Sequence, residues 1–223
     1  MKKLFVATIM LLIFTGLSFA QEAKEIAKER KEIAKMSKAE LAEKVTKTTQ
    51  KESKRLTKEG WTVTPGALPL EKQLERSFTM QYEFNEKLEP KYIMAEAMSI
   101  GENYDAAKTQ ALELAKQNLA GEIQSEITAL IENTVANQQL NAEEAASVVQ
   151  TISASKNAIV QSLGRVLPVV EAYRDKPNKN KEVLVRLAYN QDNAKQAVKQ
   201  VVRDELERNG DMLHGQLDKI FGF

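Results

Sequence analysis

The chain contains no cysteine and one histidine, His214, and these two shortages remove much of the chemistry a protein of this size could carry. Without thiols there is no disulfide staple, no cysteine nucleophile and no thiolate metal site. There is also no acceptor for lipid attachment at an export cleavage site, so no lipid anchor is expected. A lone histidine cannot build a paired-imidazole centre or a His-Glu-x-x-His motif, and in a terminal amphipathic stretch it reads as a surface residue. Gly101, Gly121 and Gly164 are isolated, so no glycine-rich loop cradles a phosphate. No metal and no cofactor is expected. Long apolar runs are missing too: the longest, Leu4 to Phe14, is well short of the roughly 20 residues that cross a bilayer.

That short run is nevertheless informative. Lys2 and Lys3 precede it, and Ser18-Phe19-Ala20 follow it with small residues where a signal peptidase cuts. Residues 1–20 are therefore expected to be an export leader removed after Ala20. The mature protein would be periplasmic or secreted, without a membrane span and compatible with peripheral membrane contact. Charge is unevenly distributed along the rest. Residues 21–58 hold 12 Lys and Arg against 7 Glu, and residues 59–223 hold 18 basic against 24 acidic side chains. A basic arm precedes an acidic body. Nucleic acid is not an expected partner, because the body is acidic and the basic arm has no interleaved aromatics.

The arm is rich in Ala, Lys and Glu and free of Gly and Pro, which predicts helix, broken near Met36 by the capping box Ser37-Lys38-Ala39-Glu40. Its apolar stripe is thin and predicts loose docking on the body. At the other end, residues 211–223 form an amphipathic tail. Ile26, Ile33 and Leu41 of the arm, with Leu213, Leu217 and Phe221 of the tail, are the candidate interaction surface for an envelope protein partner or a second copy of the chain.

The body, residues 59–210 with a core at 91–190, is predicted to be α+β: a small antiparallel sheet of three to four strands with long helices packed on one face. Gly60 to Thr64 reads as a short extended piece. Leu70, Leu74, Phe78 and Tyr82 recur every fourth residue and predict a helix. Tyr92 to Ile100 reads as a strand, with Gly101-Glu102-Asn103 as its exit turn. A long helix follows, with Asp105 as N-cap and a stripe from Leu112 through Ala115, Leu119, Ile123, Ile127, Leu130 and Ile131. Asn141-Ala142-Glu143-Glu144 starts another helix. Arg165 to Arg174 and Glu182 to Tyr189 form a hairpin, with Pro168 placing its first strand near an edge. A last helix runs from Asn193, with Ala194, Val198, Val202 and Leu206 inward.

Met98-Ser99-Ile100-Gly101, Tyr104-Asp105-Ala106-Ala107-Lys108 and the alanine-rich run Ala111 to Ala120 resemble the LPP20-like family of bacterial envelope proteins. Val170-Glu171-Ala172-Tyr173-Arg174-Asp175 and Glu182 to Leu187 resemble that family's closing hairpin. The likeness spans roughly Lys91 to Tyr189. It implies an exported surface or periplasmic module with no established catalytic chemistry, related in fold to domains of flagellar and envelope assembly. It supplies no catalytic or binding residue. Members are often lipoproteins, and the lack of cysteine sets this chain apart from them.

Ser153-Ala154-Ser155-Lys156 has the Ser-x-x-Lys spacing of penicillin-binding nucleophiles, but its partner motifs are absent, and ten serines with 24 lysines produce about one such spacing by chance. Glu96, between Ala95 and Ala97, is the acid most worth checking for a role, and it reads as a solvent-facing strand position. Trp61 and Tyr92 read as core anchors. The expected function is therefore a non-enzymatic cell-envelope module for protein interaction or self-association. The alternative is a periplasmic small-ligand or glycan-binding protein, with a pocket between the sheet and the long helix lined by Met94 and Met98.

Overall fold

The computed structural model describes residues 45–86, 88–136 and 142–208. Helix α1, Lys47–Lys58, starts at Thr46, whose hydroxyl accepts the Thr49 N–H at 3.3 Å. Arg55 and Lys58 fall in its last turn, where positive charge suits the exposed carbonyls. Helix α2, Leu70–Gln81, follows Pro69, whose fixed φ suits helix entry. The Thr46 N–H and hydroxyl donate to Glu75 of α2 at 3.2 and 3.0 Å, and the Thr49 hydroxyl donates to the same oxygen, tying the two helices. Residues 45–58, read from sequence as the end of the arm, thus belong to the compact body, which starts at Val45. Leu56 buries against Trp61 and Leu74; residues 1–44, with the leader, the rest of the arm and its expected break near Met36, lie outside the described residues.

The sheet is three-stranded and antiparallel, ordered β1 (Tyr92–Gly101), β3 (Lys181–Asn190), β2 (Leu167–Asp175). β1 and β3 pair from Tyr92↔Asn190 to Gly101↔Lys181. β2 is an edge strand, as its proline requires, and its ladder slips at Pro168/Val170. The extended piece before α2 adds a partial fourth strand: Thr62 and Tyr173 exchange both backbone hydrogen bonds at 2.8 Å. Gln73 completes the protection of this edge, its side-chain oxygen accepting the Glu171 N–H at 2.7 Å.

Alternation along the strands sets two layers. Ile93 and Ala95 of β1 with Val183, Val185 and Leu187 of β3 face the long helix α3, Tyr104–Ala136, which buries Ala107, Ala111, Ala115, Leu119, Ile123, Ile127 and Ile131. Small side chains near its start let the helix backbone approach the sheet closely. Helices α4 (Ala142–Ala154), α5 (Lys156–Ser162) and α6 (Gln191–Arg208) extend the same core through Val148, Ile152, Ile159, Ala194, Val198 and Val202. The opposite face carries Val170, Ala172 and Leu184 and packs against α1, Trp61 and α2. It is covered over β2 and β3, while the outer part of β1 leaves Met98 and Ile100 52% and 48% exposed.

Local expectations change at four places. Asn103, not Asp105, caps α3: its side-chain oxygen accepts the Ala106 N–H at 2.9 Å, and Asp105 falls in the first turn. Tyr82 lies past the end of α2 and is exposed, because the buried stripe runs through Leu70, Gln73, Leu74 and Ser77. α5 is an additional helix, anchored by Ile159. The last helix starts two residues early, at Gln191, where Asn190 accepts the Asn193 N–H at 3.0 Å. The side chain of Leu206 and the capping residue Asn141 lie outside the described residues.

Candidate functional site

Ile26, Ile33, Leu41, Leu213, Leu217, Phe221 and His214 all lie outside the described residues. The pocket expected between the sheet and α3 is replaced by packed side chains: Ala107, Ala111, Ala115 and Leu119 are fully buried there against the β1 and β3 side chains. Met94 and Met98 cannot line that interface, since strand alternation turns them to the opposite face.

On that opposite face lies an open cleft of about 200 Å³ between α1 and the β1–β3 pair. Its floor is apolar, built from Leu56, Trp61, Leu74 and Leu184, with Met98 at the side toward β1. Its rim is a ring of ion pairs. Arg186 binds Glu96 through Nε at 2.9 Å and Nη2 at 2.6 Å and reaches Ser77 Oγ at 3.0 Å. Arg174 donates to Glu182 at 2.6 Å and lies 4.6 Å from the centre of the Trp61 ring. Arg55 spans Glu52 at 2.7 Å and Glu59 at 2.6 Å.

The electrostatics follow from these contacts. A hydrogen bond from Arg55 holds the Glu52 carboxyl below its ordinary value, with Arg186 adding to the effect, and Glu52 in turn raises the Arg55 guanidinium. Burial pushes the Glu182 carboxyl up, but hydrogen bonds from Arg174 and Lys176 outweigh it and leave the group lowered. Every arginine in the ring already has a carboxylate partner, so the ring is a structural belt joining α1, the Trp61 segment and the sheet. Glu96 belongs to this belt and is not a free acid. Arg55 meets Glu52 and Glu59 at local helix spacing, but no spacing marks the belt as a whole, because Arg55, Arg174 and Arg186 come together only through the tertiary fold.

A second polar cluster pins α3 to β2. The Tyr104 hydroxyl donates to Glu171, Lys108 reaches the same carboxylate at 2.8 Å, and the Tyr104 and Tyr173 rings meet edge to face at 5.3 Å. Burial and the bond to Glu171 raise the Tyr104 phenol above its usual value, and the Glu171 carboxylate raises Lys108. The Ser-x-x-Lys serine is bound up in its own helix, with the Ser153 hydroxyl donating to the Val149 carbonyl at 2.8 Å. Among the described residues no group of three or more His, Asp or Glu could hold a metal ion, and no helix is long and apolar enough to cross a membrane.

The remaining feature is the outer edge of β1. Among the described residues no strand pairs with it. α3 caps one of its positions, Asn118 donating to the Glu96 carbonyl at 2.9 Å. Beyond that point the edge continues through Met98, Ser99 and Ile100, where the two large apolar side chains are exposed together. Comparison with protein-family models, with curated proteins and with solved structures finds no match for the chain.

Proposed function

We propose that this protein is an exported, non-enzymatic cell-envelope module that self-associates through the outer edge of β1. The observation that carries the reading is the outer end of that strand, where Met98 and Ile100 are exposed on one face beside backbone groups that no other strand among the described residues uses. An exposed apolar edge is a template for strand addition, in which backbone hydrogen bonds supply affinity and alternate side chains supply selectivity. The opposite edge at β2 is blocked by Thr62 and Gln73, so strand addition is directed to one side.

A second copy suits this edge because β1 carries one charge, Glu96, already neutralised by Arg186. Antiparallel pairing about Ser99 sets Met98 of one copy opposite Ile100 of the other, apolar against apolar. The leader-like residues 1–20 and the LPP20-like resemblance over Lys91 to Tyr189 support the envelope setting.

The lack of cysteine makes the test clean. A chain carrying Met98→Cys and Ile100→Cys is expected to form disulfide-linked dimers under mild oxidation, while Glu122→Cys on exposed α3 stays monomeric. Absence of crosslinked dimer, or equal crosslinking through position 122, would count against the reading.

A further inference from the structure

The segment between α2 and β1 folds as a short hairpin. Phe84 and Pro90 form an antiparallel bridge, closed by backbone hydrogen bonds from the Lys91 N–H to Glu83 at 2.8 Å and from the Asn85 N–H to Glu89 at 2.9 Å. The polar side chains of Glu83, Asn85, Glu89 and Lys91 are half-buried and bonded together: Asn85 donates to the Glu89 carboxylate at 3.1 Å, Lys91 donates to Glu83 at 2.6 Å, and Lys195 of α6 reaches Glu89 at 3.3 Å. The apolar side chains face water instead, with Tyr82 65%, Phe84 50% and Leu88 82% exposed. This reverses the usual placement of apolar residues inward and polar residues outward. Packing does not account for Leu88, which also holds φ at 63°, a left-handed conformation that suits glycine or asparagine better.

We infer that this hairpin is a membrane-contact tip that enters the boundary between headgroups and acyl chains of a phospholipid bilayer, with Phe84 and Leu88 among the chains and the Tyr82 hydroxyl at the headgroups. The three side chains present roughly 400 Å², a size at which a monomer's apolar patch is often functional. That is half of the roughly 800 Å² each partner contributes to a stable protein interface. A second copy would need more matching surface than the hairpin offers, whereas a bilayer needs none. Residues 82–91 carry three Glu and two Lys, so attraction to anionic headgroups is not the driving force and a zwitterionic bilayer suits the tip. The hairpin stands beyond the Tyr92 end of β1, about 20 Å along the strand from Met98, and its role is independent of self-association there.

The test places an environment-sensitive nitrobenzoxadiazole dye on the full chain, which has no cysteine of its own, at Glu86→Cys on the exposed turn of the hairpin and, as control, at Glu122→Cys on α3. With phosphatidylcholine vesicles the dye at position 86 is expected to brighten and shift to the blue, equally at low and high salt, while the dye at position 122 keeps its spectrum in water. Leu88→Asn, which suits the left-handed backbone, and Phe84→Ser should each weaken partitioning about tenfold with an unchanged circular dichroism spectrum. The inference is overturned if position 86 does not respond to vesicles, if position 122 responds equally, if high salt abolishes the response, or if both variants partition as the parent does. A response at position 86 to rising protein concentration without lipid would also overturn it, since a second copy would then occupy the hairpin.

Discussion

Gly101 ends β1 against the first turn of α3, and its tight contact with the helix backbone permits a quantitative prediction. A Cβ at this position would stand 2.6 Å from the Ala107 backbone nitrogen, 3.1 Å from the Ala107 Cα and 3.2 Å from the Ala106 carbonyl carbon. These are backbone atoms of the helix's first turn, so no rotamer change relieves the collision and α3 must move off the sheet by several tenths of an ångström. Overpacking of this kind costs about 1–3 kcal/mol, against an entropic gain of about 0.4–1 kcal/mol from replacing glycine. Gly101→Ala should therefore destabilise by roughly 1–2 kcal/mol, lowering the melting temperature by about 2–8 °C in a domain of this size. Gly121→Ala is the matched control. It lies within α3, and its added methyl would meet only the flexible end of Lys156 at 3.7 Å. Glycine in a helix interior is about 0.5–1 kcal/mol worse than alanine, so this variant should be more stable than the parent. Urea denaturation followed by circular dichroism measures both. Equal stability of Gly101→Ala and the parent, or a loss in Gly121→Ala, would refute the packing described for α3 on β1.

Leu119→Ala, at a fully buried point of the same interface, should cost about 3–5 kcal/mol in the same assay. Tyr104→Phe removes one hydrogen bond to Glu171 while keeping the ring on Tyr173, and should cost about 1 kcal/mol. The pH dependence has a definite sign: the Glu182 carboxyl is lowered in the fold from 4.5, so its contribution is complete above that pH and disappears as pH falls through the lower folded value. Glu182→Gln should flatten the acid limb of the stability profile there. Ser153→Ala should change stability by less than about 0.5 kcal/mol, because the hydroxyl is exposed and returns a bond only to its own helix.

The body was legible where periodicity is strong. The stripe from Ala115 to Ile131 sustains its helical repeat over several turns, and the alternation of Val183, Val185 and Leu187 identifies the inward face of β3, so helix and hairpin follow directly. Pro168 likewise announced an edge strand. What escaped depends on long-range contact. α1 looked like part of a solvated arm because only Leu56 and Thr49 bury, and their partners, Trp61, Leu74 and Glu75, lie in later segments. The cleft with its arginine belt joins residues from α1, β1, β2 and β3, and no local spacing marks it. Nothing in the strand pattern around Met98 and Ile100 tells that the outer part of β1 is left uncovered, since exposure of an apolar strand position is decided by which helices fold over it.

Sedimentation velocity of residues 21–223 over a wide concentration range tests self-association at β1 most directly. A concentration-dependent shift to dimer is expected for the parent, and Ile100→Lys, which puts a charge on the exposed strand end without touching the core, should remain monomeric with an unchanged circular dichroism spectrum. A parent that stays monomeric throughout, or a lysine variant that dimerises as the parent does, would contradict the assignment.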